Sequence, residues 1–110
     1  MDESLEMEIK ELQNFAKEEN ERGRSKTKTS EKESILTTAI KLGEEVGEVS
    51  EEVLKHFNYQ VKDKSFEKNE ISYEIADVII VASILADSLG IDLEESLKEK
   101  MKKIKERYEK

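Results

Sequence analysis

The sequence predicts an all-α protein in which four antiparallel helices, joined by short connections, form a bundle. Apolar residues recur every three or four positions in separate segments of the chain, which is the spacing of one face of a helix. No segment shows a convincing alternation of polar and apolar residues of the kind that marks a strand. At 110 residues the chain has the length of one small domain. We therefore expect a single all-α domain over residues 1–110.

The first helix is predicted from roughly Ser4 to Asn20, because apolar residues follow one helical face there. The residues that follow, ERGRSKTKTS, are polar and contain a glycine, so we expect them to form a loop. This loop would hold several basic residues of an otherwise acidic chain: Arg22, Arg24, Lys26 and Lys28.

The second helix is predicted to begin after Ser30 and to run to about His56 or Phe57. Ser30 and Glu33 have the spacing of a capping box, in which each side chain bonds to the other residue's backbone N–H. The helix contains two glycines, each of which costs about 1 kcal/mol relative to alanine inside a helix. We interpret them as positions that a backbone or a ligand approaches closely.

The third helix is predicted to be capped by Asn69 and to continue to Leu89, with Gly90 as its C-terminal stop. Asp92 and Glu95 have the spacing of a second capping box, which would open the fourth helix. The third helix is apolar nearly all the way round, and such a helix is buried on every side. Three partner helices in one small chain can hardly cover it, so we expect a homodimer or homotetramer with this helix near the interface.

The composition argues against two classes of partner. The net charge is −8, whereas a protein that binds a nucleic-acid polymer needs a basic surface. The longest apolar run, residues 71–89, is interrupted by Glu74, Asp77 and Asp87, so no membrane span is expected. The acidic beginning of the chain does not have the pattern of a secretory signal. We therefore expect a cytoplasmic protein that binds neither nucleic-acid polymers nor membranes.

Two pairs of acids have matching positions on the second and third helices. Glu45 and Glu48 are three residues apart, as are Glu74 and Asp77, so each pair shares one helical face. In an antiparallel helix pair they could face one another, and carboxylates this close repel each other unless a cation compensates. The chain has no cysteine, and carboxylates favour a hard divalent cation, so we expect Mg²⁺, with Mn²⁺ as the alternative. The competing interpretation is that these acids are solvated or paired with other side chains.

A family resemblance agrees with this pattern. Residues 44–48 read EEVGE and residues 74–77 read EIAD, and together they resemble the EExxE…ExxD signature of MazG-type nucleotide pyrophosphohydrolases, in the all-α NTP pyrophosphatase superfamily. The resemblance extends over roughly residues 35–108. It implies hydrolysis of a nucleoside triphosphate to the monophosphate and pyrophosphate, in a dimer or tetramer. It also implies that Glu45, Glu48, Glu74 and Asp77 bind Mg²⁺ and that Glu44 orients or deprotonates the attacking water.

The fourth helix supplies cations for a phosphorylated substrate. Lys100 and Arg107 lie on one stripe of it, and we expect them to bind the substrate phosphates. The competing interpretation of each is a solvated surface charge. Many relatives carry Asn at the position of Ile104, so this chain departs from the family pattern there.

The sequence is compatible with three functions. The first is pyrophosphohydrolysis of non-standard or surplus nucleoside triphosphates. The second is the phosphoribosyl-ATP pyrophosphatase reaction of the same superfamily, which the EVGEV context fits less well. The third is a non-catalytic helical module that binds metal or nucleotide, or that only dimerises.

Overall fold

A computed structural model describes residues 7–57 and 68–109 of the chain. The described residues form four α-helices and no strand, which confirms the predicted all-α class. The helices span Ile9–Thr27 (α1), Glu31–His56 (α2), Lys68–Ser88 (α3) and Leu93–Tyr108 (α4).

α1 differs from its predicted extent at both ends. The predicted start at Ser4 lies outside the described residues, and the helix begins at Ile9. It then continues to Thr27, so the predicted loop over residues 21–30 is wrong for most of its length. Arginine, lysine and glutamate are good helix formers, and the cost of one glycine does not end the helix. Lys28 ends it in a left-handed conformation with φ 56°, while its N–H donates to the carbonyl of Arg24 at 2.9 Å.

α2 begins with the predicted capping box. The Glu33 N–H donates to Ser30 Oγ at 3.1 Å, and the Ser30 N–H donates to Glu33 Oε1 at 3.2 Å. The helix ends at His56, as predicted. A Cβ built on Gly43 or Gly47 would have no neighbour within 4 Å among the described residues. The close approach that we inferred from these glycines is therefore not made by the described part of this chain.

α3 begins one residue before its predicted cap. Asn69 lies inside the helix, which starts at Lys68, so the assignment of Asn69 as the N-cap is wrong. Polar residues that follow each other near a helix start are alternative caps, and sequence alone places such a boundary only approximately. The C-terminal stop is confirmed, because Gly90 adopts φ +70°. The Ile91 N–H donates to the Ala86 carbonyl at 2.9 Å, and the Gly90 N–H donates to the Asp87 carbonyl at 3.0 Å, which is a Schellman motif.

The start of α4 is attached to α1 by polar contacts. Asp92 caps α4, because its Oδ1 accepts from the Glu95 N–H at 3.3 Å, and the same oxygen accepts from Gln13 Nε2 at 3.2 Å. These two hydrogen bonds, that of Gln13 first, lower the pKa of the Asp92 carboxyl. Lys10 Nζ lies 3.3 Å from Glu94 Oε1. Beyond this first turn the side chains of α4 are exposed.

α3 is the central helix, and α1 and α2 both pack against it. Near the C-terminal end of α3, Asn20 Nδ2 of α1 donates to Asp87 Oδ2 at 2.9 Å. Thr38, in the first half of α2, lies beside Ile84, whereas Glu45 is grouped with Glu74 nearer the start of α3. α2 therefore runs antiparallel to α3, as the sequence predicts.

The apolar core of the described residues is small. Its buried apolar side chains are Leu12, Ala16, Val81 and Ala86, and no large side chain is completely buried. Many large apolar side chains stay exposed on all four helices, including Ile40, Val46, Val53, Ile75, Ile79 and Met101. One chain thus leaves much of the apolar surface of α2 and α3 uncovered.

α3 carries the longest apolar run of the sequence, yet it also contains polar and acidic residues. The Ser83 and Ser88 hydroxyls donate to backbone carbonyls four residues earlier, at 2.7 and 3.0 Å. No helix in the described part of the chain is both long enough and apolar enough to cross a membrane.

The turn at Gly90 generates a stability prediction. Gly90→Ala should lower the free energy of unfolding by about 1 to 2 kcal/mol, because alanine is disfavoured in the left-handed conformation. Gly23→Ala is the matched control. That glycine lies inside α1, a Cβ there meets no atom within 4 Å, and alanine should stabilise the helix by about 1 kcal/mol. Urea denaturation at one protein concentration measures both, and equal effects of the two substitutions would contradict the assigned turn.

Candidate metal centre

Three carboxylates meet where α2 packs against α3. Glu45 and Glu48 come from successive turns of α2, and Glu74 comes from α3. One oxygen from each lies within 4.8 Å of the other two. Glu45 and Glu74 are half-buried, whereas Glu48 is exposed. The structure therefore brings together three of the four residues predicted to bind metal, and we call them the three-carboxylate group.

The fourth predicted ligand, Asp77, lies at the edge of this group. Its side chain is exposed, and it is not among the three residues whose oxygens meet. Its negative charge nevertheless contributes to raising the pKa of both Glu45 and Glu74. Asp77 is thus close enough to act electrostatically on the group.

The group contains buried oxygens that lack hydrogen-bond donors. Oε2 of Glu45 and Oε2 of Glu74 are buried, and no N–H or O–H donor of the described residues reaches either atom. Buried polar groups normally have a partner, so such atoms require an explanation. A divalent cation that prefers oxygen ligands would satisfy them without any donor. The residues present therefore fit Mg²⁺ or Mn²⁺ on the chemistry of their donor atoms.

Without a cation, protonation compensates for the crowded negative charge. A hydrogen bond with Glu48, then burial and the charges of Glu48, Glu45 and Asp77 raise the pKa of Glu74 to about 7. Two carboxyl groups can share a hydrogen bond only when one of them carries a proton. Burial is also the largest cause of the raised pKa of Glu45, and the positive charge of Lys41 opposes that shift.

The next turn of α2 holds an ion pair that the sequence analysis did not single out. Lys55 is only 8% exposed and pairs with Glu52, three residues earlier on the same helix. The hydrogen bond to Glu52 is the largest of the contributions that raise the pKa of Lys55. The spacing of a glutamate and a lysine on one helical face is a signal that could have found this pair. Glu52 therefore has a cationic partner within the described chain, although its Oε2 is also buried without a hydrogen-bond donor. No such cation of the described residues pairs with the three carboxylates of the group.

The remaining predicted site residues lie outside the group. Glu44 is exposed and precedes Glu45, and its charge makes the smallest contribution to raising the pKa of Glu45. Lys100 and Arg107 lie on the exposed part of α4. No ion pair within the described residues links them to the acids of α2 or α3. The described chain thus places Glu44 beside the group and does not bring these α4 cations into contact with it.

The raised pKa of Glu74 predicts how the stability of the metal-free protein depends on pH. The folded state holds a proton on Glu74 up to about pH 7, whereas the unfolded chain releases it near the ordinary value of 4.5. This contribution to stability is therefore complete below pH 4.5 and is lost as the pH rises through about 7. The melting temperature of the wild type should therefore fall as the pH rises through about 7. Glu74→Gln mimics the protonated acid, so the melting temperature of the variant should lack the part of this fall that comes from Glu74.

Melting curves in a chelator, from about pH 5 to about pH 8, measure this difference. Excess Mg²⁺ should reduce the fall in the wild type, because a ligand of the folded state stabilises it. Parallel pH profiles for the wild type and Glu74→Gln would contradict the assigned proton.

Comparison with known proteins identifies the family. The family model of the MazG nucleotide pyrophosphohydrolase domain matches residues 33–110. This range contains the whole three-carboxylate group and most of α2, with all of α3 and α4, while α1 precedes it. Searches of curated proteins and of solved structures found no match to the chain. The family match covers more than half of the sequence, and the chain therefore belongs to the MazG nucleotide pyrophosphohydrolase domain family.

Proposed function

We propose that the protein hydrolyses nucleoside triphosphates, of the ribo or deoxyribo series, to the monophosphate and pyrophosphate in a Mg²⁺-dependent reaction. The observation that carries this proposal is the three-carboxylate group, which has buried oxygens without donors and lies within the matched family domain. One water is consumed, and the bond between the bridging oxygen and phosphorus in the α–β linkage breaks. The proposed role is the removal of non-standard or surplus nucleotides.

Glu45, Glu48 and Glu74 would hold the Mg²⁺, and Asp77 at their edge would complete the ligand set. Mn²⁺ suits the same oxygen donors. When bound, the ion offsets the charge of the phosphates and polarises water. The contribution of the chain is to fix the carboxylates on two packed helices, so that little rearrangement is needed when the substrate arrives.

Glu44 is the proposed general base. It lies next to Glu45 but outside the three-carboxylate group, so it is not needed as one of those ligands. A carboxylate within reach of the attacking water can take its proton as the new bond to phosphorus forms. Because Glu44 is exposed, it can pass that proton on to solvent.

The proposed phosphate contacts on α4 are Lys100 and Arg107. Since α4 contacts the described helices mainly near its start, these side chains are not beside the acids of the same chain. Lys100 and Arg107 of another subunit would reach the phosphates. Alternatively, these residues of the same chain would contact the part of the nucleotide that extends away from the three-carboxylate group.

We also propose that the chain forms a homodimer or homotetramer in the cytoplasm, as a single domain over residues 1–110. Apolar side chains are exposed on the same two helices that carry the acids, including Val46, Ile75 and Ile79. A second copy that covers them would supply the core that one chain lacks. α1, which precedes the matched range, packs against α3 and so belongs to the same folded unit.

Turnover assays test the proposed reaction. A panel of nucleoside triphosphates with Mg²⁺ should release pyrophosphate from at least one substrate. Glu48→Gln and Glu74→Gln should each lower kcat/KM by at least about 100-fold, because each removes a charged ligand. Glu51→Gln is the control, since it makes the same change on an exposed position of α2. Glu44→Gln should lower kcat by about 100-fold while Mn²⁺ binding is retained.

Two outcomes would overturn this proposal when phosphoribosyl-ATP is added to the panel and thermal stability is measured beside turnover. Release of pyrophosphate from phosphoribosyl-ATP alone would indicate the related pyrophosphatase instead. Stabilisation by Mg²⁺ and nucleotide without turnover would indicate a binding module.

Sedimentation equilibrium tests the proposed oligomer. At micromolar concentration the wild type should have at least twice the mass of one chain. Ile79→Glu should shift the equilibrium towards monomer, because it places a charge on an exposed apolar face of α3. Lys102→Glu, which adds a glutamate on exposed α4, is the control. A wild-type monomer at these concentrations would contradict the proposal.

A further inference from the structure

A cavity of about 240 Å³ lies between the end of α1, the first half of α2 and the middle of α3. Val81 and Ile84 of α3 contribute its apolar lining. α1 contributes Arg22 and Arg24 to the wall, and α2 contributes Lys41. The cavity exists because α1 continues as a helix past Asn20, which carries both arginines over the surface of α3.

The cavity has an excess of positive charge in a chain whose net charge is −8. Its lining has one acid, Glu19, and that acid is already paired with Arg22. Neither Arg24 nor Lys41 forms an ion pair within the described residues. Two cations are therefore left without a carboxylate partner. Their charge favours an anionic ligand in the cavity.

The cavity adjoins the three-carboxylate group along α2. Lys41 lies four residues before Glu45, which is one helical turn and about 6 Å between the Cβ atoms. A phosphate chain held at the acids can therefore reach Lys41 by extending along the surface of α2 towards its N-terminus.

The lining of the cavity favours phosphates over a nucleobase. No aromatic ring is among its lining residues, so nothing there offers a stacking surface. Guanidinium and ammonium groups instead match phosphate oxygens, to which they donate charge-assisted hydrogen bonds. The hydroxyl of Thr38, which also lines the cavity, already donates to the Ser34 carbonyl at 2.8 Å, so the two cations are the principal donors for an anion.

We propose that this cavity binds the pyrophosphoryl part of the substrate, with Arg24 and Lys41 as its principal cations. The inference rests on the proposed function. In it, the phosphates that leave as pyrophosphate bind to the residues of α1 and α2 that line the cavity. The nucleoside then lies on the other side of the three-carboxylate group. Within one chain, Lys41 lies one helical turn from Glu45, whereas no ion pair of the described residues links the exposed cations of α4 to the acids.

Calorimetric titration with inorganic pyrophosphate in the presence of Mg²⁺ tests the assignment, and a nucleoside monophosphate is the second probe. Arg24→Ala and Lys41→Ala should each weaken pyrophosphate binding by roughly tenfold, because each removes a charge-assisted hydrogen bond. Binding of the monophosphate should change by less than about twofold. Lys17→Ala on α1 and Lys32→Ala on α2 remove the same charge from exposed positions that do not line the cavity, and they should behave as the wild type.

Mn²⁺ binding without any nucleotide shows whether a substitution removes a contact to pyrophosphate or instead disrupts the three-carboxylate group. Arg24→Ala and Lys41→Ala should bind Mn²⁺ at least as tightly as the wild type, since removal of a nearby cation does not weaken a cation site.

Unchanged pyrophosphate binding in both variants, or monophosphate binding that is weakened as much as pyrophosphate binding, would overturn the inference. A wild type that releases pyrophosphate while the variants keep full pyrophosphate affinity would overturn this inference alone. A wild type that neither turns over nor binds pyrophosphate would overturn the proposed function as well.

Discussion

The packing of α2 against α3 brings together carboxylates whose negative charge no cation of the described chain neutralises. Glu45 and Glu74 each have a buried oxygen with no donor, and the nearest polar neighbours in the group are other carboxylates. Such an arrangement needs either a proton or a metal ion. The raised pKa of Glu74 reflects the first solution and the oxygen ligand set fits the second. The same helix interface therefore couples stability, pH and metal binding.

Charges of opposite sign are distributed around this interface in an ordered way. One helical turn beyond Glu48 on α2, Glu52 pairs with Lys55. Lys41 lies one helical turn before Glu45, where the cationic cavity begins. The three-carboxylate group lies between them and has no ion-pair partner among the described residues. Along α2 an ion pair, the uncompensated carboxylates and a lysine that lines the cavity follow one another, and this order suits a metal ion and a phosphate chain side by side.

The parts that sequence could predict are those governed by local geometry. The three-residue spacing on two antiparallel helices, with the family signature, predicts that the acids of α2 and α3 meet, and three of the four do so. The glycine at position 90 predicts the end of α3. The parts that it could not predict depend on packing or on small differences in helix propensity. The extension of α1 through Gly23 balances one glycine against several good helix formers, and the cavity exists only because that extension crosses α3. The edge position of Asp77 likewise depends on how α2 and α3 are rotated about their axes.

Proton release on Mn²⁺ binding tests most directly whether this group is a metal centre. Calorimetric titration of the metal-free protein with Mn²⁺, in buffers of different ionisation enthalpy, counts the protons released. Binding at pH 7 should release a fraction of a proton, because the pKa of Glu74 is raised to about 7 and the carboxyl must ionise to bind the metal. Glu74→Gln should bind more weakly and release fewer protons. Binding without proton release, or no binding at millimolar Mn²⁺, would contradict the assignment of these carboxylates as a metal centre.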